Sequence, residues 1–228
     1  MKKVLFLLAA AMFACSVQTA FAQISWWDAT KSAEGITLRA SAGFNLSHFT
    51  HVERWSRVKP GANVGVMAEM PLLNSLSAKA GLFYTMKGAV GKNDAGFGGI
   101  LTTTFSPSYL ELPVMASYRF KLNDNIMLQF DFGPYFAVGL HGKDVKKNSG
   151  NGSFSLPTEI EYKLFGKEGQ LKACDFGFRF GPEIVFRNRL AVGLAYEVSA
   201  VSINRTMGSG KIGNGNFMIN VSYPFYTF

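Results

Sequence analysis

An all-β fold, an eight-stranded antiparallel up-and-down barrel that spans a membrane, is the architecture this sequence predicts. Three observations carry the prediction. The chain opens on a secretory leader. No later segment offers the roughly 20 consecutive apolar residues that a membrane-crossing helix needs. From Ile36 onward, apolar residues recur instead at every second position, the period of a strand whose side chains face alternate sides.

The leader comes first. Lys2 and Lys3 form a positive n-region, Val4 to Ala14 an apolar run too short to cross a bilayer, and Ala20-Phe21-Ala22 a small-x-small cleavage pattern. Residues 1–22 therefore read as a signal peptide, and the mature chain starts at Gln23. Cys15 follows bulky Phe13 in a poor lipobox and is discarded with the leader. Only Cys174 then remains, so no intrachain disulfide forms, and this thiol serves as a small filler on a strand. Removing Lys2 and Lys3 from the formal charge of +8 leaves +6 for the mature protein. Residues 23–35, with Trp26 and Trp27, form a short periplasmic lead-in, and residues 36–228 form the barrel domain.

Alternation shows which face meets lipid. From Ile126 to Leu140 the even positions are Ile126, Leu128, Phe130, Phe132, Pro134, Phe136, Val138 and Leu140, whereas the odd ones include Gln129, Asp131, Gly133 and Ala137. Ile36, Leu38, Ala40, Ala42, Phe44 and Leu46 oppose Thr37, Arg39, Ser41, Gly43, Asn45 and Ser47. A soluble sandwich would bury its bulky apolar face. Small and charged residues fit a narrow lumen better, with the bulky face against lipid. Tyr118, Phe120, Phe186, Tyr196, Tyr223 and Phe225 fit interfacial aromatic girdles.

The pattern gives strands near 36–49, 61–71, 76–88, 108–120, 125–140, 172–187, 189–203 and 215–227. Leu72 to Ser75, Lys121 to Asp124 and Asn188 supply short turns. The segments near 50–60, 89–107, 141–171 and 204–214 are longer, rich in Gly, Lys, Asn and Ser, and read as outer loops. An even strand number places both ends on the periplasmic side, and lipid forces the sheet to close on itself. Thr158 to Leu164 also alternates. It reads as an extension of the flanking strands above the membrane, with a ten-stranded barrel as the alternative.

Several segments carry a family resemblance: Gly43-Phe44-Asn45-Leu46-Ser47, Tyr84 to Gly88, Tyr109-Leu110-Glu111-Leu112-Pro113, Asp131-Phe132-Gly133-Pro134-Tyr135 and Asp175 to Gly181. In that order the chain resembles the PorT-like outer-membrane β-barrel family of Gram-negative bacteria over most of its mature length. The resemblance implies an eight-stranded, porin-family barrel of the size of OmpA or OmpX. It implies little about function, and the founding member's secretion role does not transfer with it.

An eight-stranded barrel is only wide enough for side chains to fill. The inward set comprises Arg39, Lys79, Arg119 and Arg179 against Glu69, Glu111, Asp131, Asp175, Glu183 and Glu197. The expectation is a plug of paired charges, because an isolated ion in a low-dielectric lumen is costly; the rival is a narrow conduit gated by those pairs. His48, His51 and His141 lie near outer loop bases with no third ligand or serine motif spaced to help. No catalytic, metal or cofactor site is expected. The third long loop carries Lys143, Lys146, Lys147, Lys163 and Lys167, offset by Asp144, Glu159, Glu161 and Glu168. It reads as solvated, or as a patch for lipopolysaccharide or a polyanionic partner. Expected partners are outer-membrane lipid and lipopolysaccharide, the barrel assembly machinery through the terminal Phe228, and an envelope protein; nucleic acid is not expected. The role that follows is non-enzymatic and structural or interaction-based, in the outer membrane of a Gram-negative bacterium. A narrow solute channel and an accessory part of a secretion machine are the rivals.

Overall fold

The computed structural model describes residues 35–51, 57–73, 75–96, 99–149, 159–166, 169–187, 189–206 and 210–228. The signal peptide, Cys15, Trp26, Trp27, Asn74, Asn188, Lys167 and Glu168 lie outside them. The strands are β1 (Thr37–Thr50), β2 (Arg57–Leu73), β3 (Leu76–Met86), β4 (Ala89–Gly96), β5 (Gly99–Lys121), β6 (Ile126–Ser149), β7 (Glu159–Lys163), β8 (Cys174–Phe186), β9 (Ala191–Ser199) and β10 (Gly213–Thr227).

Among the described residues, ten strands make a ring of eight. β1 pairs with β2, β2 with β3, β3 with β5, β5 with β6, β6 with β8, β8 with β9, β9 with β10, and β10 returns to β1, every pair antiparallel. The other two are extensions. β4 continues β3 alongside β5, and β7 continues the line of β8 alongside β6, pairing Lys143 with Lys163 and Lys147 with Glu159. Above the ring, β4, β5, β6 and β7 therefore form one protruding sheet.

That sheet corrects the expected loops. Residues 89–96, 99–107 and 141–149 are strand, as are 57–60. Above the hydrocarbon both sheet faces can be polar, so the alternation that marks a membrane strand fades while the backbone ladder continues. A bulge adds to this: Ser108 pairs with His141 but Tyr109 with Gly139. The extra residue reverses the face of everything that follows, so Asp144, an even-numbered residue, is buried. β9 is shorter than its expected 189–203, beginning after a tight turn in which Arg189 adopts a φ of 68°.

Across the ring the bulky face points outward. Phe130, Phe132, Phe136, Phe176, Phe178, Val64, Val66 and Val221 are exposed, while Asn45, Ser117, Gln129 and Asn216 are buried. Such a surface is unstable in water and natural in lipid. Tyr118 and Phe120 contact edge to face at 4.8 Å, as do Tyr226 and Phe228, and both pairs mark the short-turn rim.

Candidate functional site

The inward faces meet in a lumen packed with ionisable groups, arranged in tiers. The tier nearest the short turns is hydrogen-bonded and partly wet. Arg119 and Gln129 each donate to Glu69 Oε1 at 2.6 Å, and Arg39 lies 3.8 Å from Glu69 Oε2. Lys79 donates to Asp131 at 2.9 Å and to Glu183 at 2.7 Å. Ser117 donates to Asp131, and Ser222 to Glu183. Beside them lies a cavity of about 40 Å³ bordered by Arg39, Lys79, Asp131, Arg179 and Glu183, room for a few waters. The side chains of Asp131 and Glu183 keep 17% and 15% of their exposure.

The next tier is dry. Lys87 sits 2.9 Å from Glu111 and 3.0 Å from Glu197, and neither the lysine nor Glu111 retains any exposure. These contacts are ion pairs rather than aligned hydrogen bonds: Lys87 Nζ and both Glu111 oxygens have no hydrogen-bond partner. Arg179 adds a second cation, 3.5 Å from Glu197 and 3.9 Å from Glu111, and Asn216 donates to Glu197 at 3.0 Å. The Lys87 ammonium also stands 4.4 Å from the centre of the Tyr135 ring, a cation–π contact that desolvation strengthens.

Backbone geometry aims Lys87. β3 breaks at Lys87-Gly88, where Gly88 has a φ of 144° and a side-chain carbon would meet the Phe105 carbonyl oxygen at 2.1 Å. Glycine is therefore required there. The Lys87 amide leaves its ladder to donate to Pro107 O at 2.9 Å, and the chain re-enters the sheet as β4.

Above the dry tier, neutral donors satisfy Asp175. Ser199 donates to Oδ1 at 2.7 Å, and Asn214 and Tyr135 donate to Oδ2 at 2.8 and 3.2 Å. An apolar layer then closes the mouth. Phe49 of β1, Ala89 of β4, Phe105 of β5, Leu164, Leu171, Ile203 and Ile212 form one buried cluster, with Phe165 packed on it. The segments after β7 and β9 supply four of these residues. They fold across the opening and are tied by Leu171 N to Leu164 O at 2.9 Å and Ile203 N to Ile212 O at 2.8 Å. Burying each of the Phe, Leu and Ile side chains contributes about 1.5–3 kcal/mol.

The structure thus places Arg39, Lys79, Arg119, Glu69, Asp131 and Glu183 in the wet tier. It places Glu111 and Glu197 in the dry tier, Arg179 between that tier and the cavity, and Asp175 above. Two features escaped the sequence reading. Lys87 shares the odd-numbered face of Lys79, and that parity was its signal. The apolar cap was signalled only by isolated Leu and Ile residues in otherwise polar stretches. The histidines stay apart. His141 bonds the Tyr84 hydroxyl at 2.9 Å, His48 leans on Tyr196, and His51 bonds its neighbour Thr50. Among the described residues no cluster could hold a metal ion. Asp144 lies 3.9 Å from Lys146, one of the lysines it was expected to offset, and it also accepts from Gln170 at 3.1 Å, which anchors the chain entering the cap.

A closed ring with a lipid-compatible exterior and a charge-filled lumen defines a small transmembrane β-barrel of the outer-membrane kind. Residues 21–202 match the family described as outer membrane protein beta-barrel domain. The chain belongs to that family, and its place is the outer membrane. No curated protein matches the sequence. Among solved structures, the chain is similar to Ail, the attachment invasion locus protein of Yersinia pestis, in complex with the heparin analogue sucrose octasulfate (15% identity, 85% of this chain and 100% of that one, TM-score 0.41). It is similar also to Neisserial surface protein A (11%, 84% and 100%, 0.44) and to the outer membrane enzyme PagL (15%, 82% and 99%, 0.41).

Proposed function

We propose that this chain is a PorT-like, non-enzymatic barrel whose role in the envelope is structural or interaction-based, with a lumen that does not conduct. One observation carries the reading: a dry ion-pair tier lies beneath an apolar cap that bridges the mouth from β1 to the segments after β7 and β9. An ion crossing this path would have to be stripped of water at both layers. The buried carboxylates face cations inside the wall rather than an open cleft, which favours a non-catalytic role. The PorT-like assignment is supported by Tyr109 to Pro113 on β5, where Tyr109 and Glu111 enter the lumen while Leu110 and Leu112 face lipid. The exposed terminal Phe228 is the proposed handle for barrel assembly, and the protruding β4–β7 sheet is the proposed surface for an envelope partner.

Single-channel recording of the refolded mature protein in a planar bilayer tests this, with a heat-dependent gel shift showing that the barrel is folded. A silent bilayer is expected. Reproducible conductance steps from folded protein would overturn the plug in favour of a narrow solute channel. That second reading draws on the cavity of about 40 Å³ beside Lys79, Asp131 and Glu183.

A further inference from the structure

The cavity in the wet tier arises from a run of small inward residues. Gly181 of β8, Gly193 and Ala195 of β9 and Ser41 of β1 border it, while Lys79, Phe83 and Met115 close it from β3 and β5. Asn220 of β10 stands in the middle of the small stretch. The register pairs it with Gly43 of β1 on one side and Gly193 of β9 on the other, so neither neighbour offers a side chain to its amide. The lumen is thinly filled at this height, and polar groups border the space.

The carboxylates at its edge are spent. Lys79 and Ser117 engage both oxygens of Asp131, and Lys79 and Ser222 both oxygens of Glu183. The donors are not. Among the described residues Arg179 has hydrogen-bond and ion-pair partners only at Nη1, 3.5 Å from Glu197 and 3.9 Å from Glu111. A guanidinium carries five N–H groups, so those on Nη2 and Nε lack an acceptor. Arg39 donates from Nη2 to the Arg189 carbonyl at 3.2 Å, but reaches Ser222 at 3.4 Å and Glu69 at 3.8 Å, long contacts for a charged donor. The side chains of Ser41 and Asn220 have no hydrogen-bond partner among the described residues. Asn220 Oδ1 packs against Gly43, where a side-chain carbon would overlap it, and this leaves the amide nitrogen to the cavity. Arg179 and Asn220 are nonetheless buried, with 6% and 8% of their surface exposed, and donors buried without acceptors are costly. Three cations, Arg39, Lys79 and Arg179, thus border the cavity against two satisfied carboxylates.

We infer that this cavity binds one chloride ion. The ion accepts from the Arg39 and Arg179 guanidiniums, the Ser41 hydroxyl and the Asn220 amide. The volume of about 40 Å³ suits a monatomic anion with a water and is small for phosphate or an organic acid. A metal cation would meet no free carboxylate oxygen. Met67, Phe83 and Met115 on the border lower the local dielectric and strengthen each charge-assisted bond. Exchange runs through the short-turn end, where Asp131 and Glu183 remain partly exposed. Held there, the anion joins β8, β10 and β1 through one centre, and it does so whether or not the lumen conducts.

The test uses the folded, full mature barrel, with sodium chloride exchanged for sodium gluconate at constant ionic strength. The urea midpoint for loss of the gel shift is expected to rise with chloride and to saturate. Two variants probe the site. Asn220→Leu removes a donor at similar volume, and Gly193→Ala puts a methyl group into the cavity, where its nearest neighbour is 3.5 Å away. In both, half-saturation is expected to need roughly tenfold more chloride. Crystals grown with sodium bromide should show an anomalous peak bordered by Arg39, Arg179 and Asn220, and this map decides alone if a variant does not fold. Equal wild-type midpoints in chloride and gluconate, a wild-type response in either folded variant, or a bromide map without that peak would each overturn the site.

Discussion

The two halves of the lumen solve one problem in opposite ways. Near the short turns, Lys79 and its carboxylates Asp131 and Glu183 are aligned hydrogen-bond partners beside a small cavity. Farther out, Lys87 holds Glu111 and Glu197 with no exposure of its own and poor hydrogen-bond alignment. Both clusters have one lysine and two carboxylates. Arg179 adds a second cation to the outer one, and the surroundings differ. Where water can approach, losing a partner exposes an ion that can be rehydrated. Where it cannot, the same loss strands a charge in a low-dielectric interior, and that asymmetry dominates buried ion pairs. The energetic weight of a lysine in this barrel is thus set by its tier rather than by the number of its partners.

The sharpest way to break the comparison is Lys87→Met, which keeps the volume and removes the charge. Arg179 alone then faces Glu111 and Glu197 from 3.9 and 3.5 Å. A loss of about 3–5 kcal/mol is expected, read as a lower urea midpoint and a lower temperature for loss of the gel shift. A smaller loss than that of Lys79→Met would show that dryness does not rank the tiers. Next comes the cap. Leu171→Ala removes a wholly buried side chain from the layer that keeps the dry tier dry, at about 2–3 kcal/mol. Combined with Lys87→Met it should cost less than the two losses added, because water admitted from above would solvate the stranded carboxylates.

Lys79→Met completes the set, with about 1–2 kcal/mol expected. Asp131 keeps its bond from Ser117 and Glu183 its bond from Ser222, and the cavity gives water access to both. Loss of a magnitude equal to that of Lys87→Met would place the two tiers in one dielectric environment.

How much of this was legible in the sequence follows the same division between membrane and mouth. Within the hydrocarbon, lipid on one side and a narrow lumen on the other force strict alternation, so Glu69, Glu111, Asp131 and Arg179 can be assigned to the interior by parity alone. Lys87 obeys the same parity, but the Gly88 break that turns it into the lumen is a backbone event that strand periodicity does not express. Beyond the membrane the constraint disappears. Thr102 to Thr104 and Lys143 to Lys147 are strand without an apolar face, and the bulge before His141 reverses the faces that parity would assign. The cap is harder still, because Leu164, Leu171, Ile203 and Ile212 come from separate segments and share only their destination.

The smallest expected effect lies at the boundary between the two regimes. Asp144 lies above the membrane-crossing part of β6, buried, with Oδ2 accepting from Gln170, Oδ1 without a partner and Lys146 at 3.9 Å. Burial lifts its carboxyl above the ordinary carboxylate range, and Lys146 and Gln170 offset only part of that lift. The folded protein therefore binds this proton more readily than the unfolded chain. Its stabilising contribution is complete at acid pH and declines as pH rises through the raised value. Asp144→Asn keeps an acceptor for Gln170 and removes the charge. At pH 7 the variant should equal or exceed wild type by less than about 1 kcal/mol, and the difference should vanish as the pH is lowered into the carboxylate range. Urea midpoints of both proteins at the two pH values check this. A variant clearly weaker at pH 7 would mean that the Asp144 charge, through Lys146, holds the cap in place, and the wet logic of the lower tier would then extend to the outer mouth.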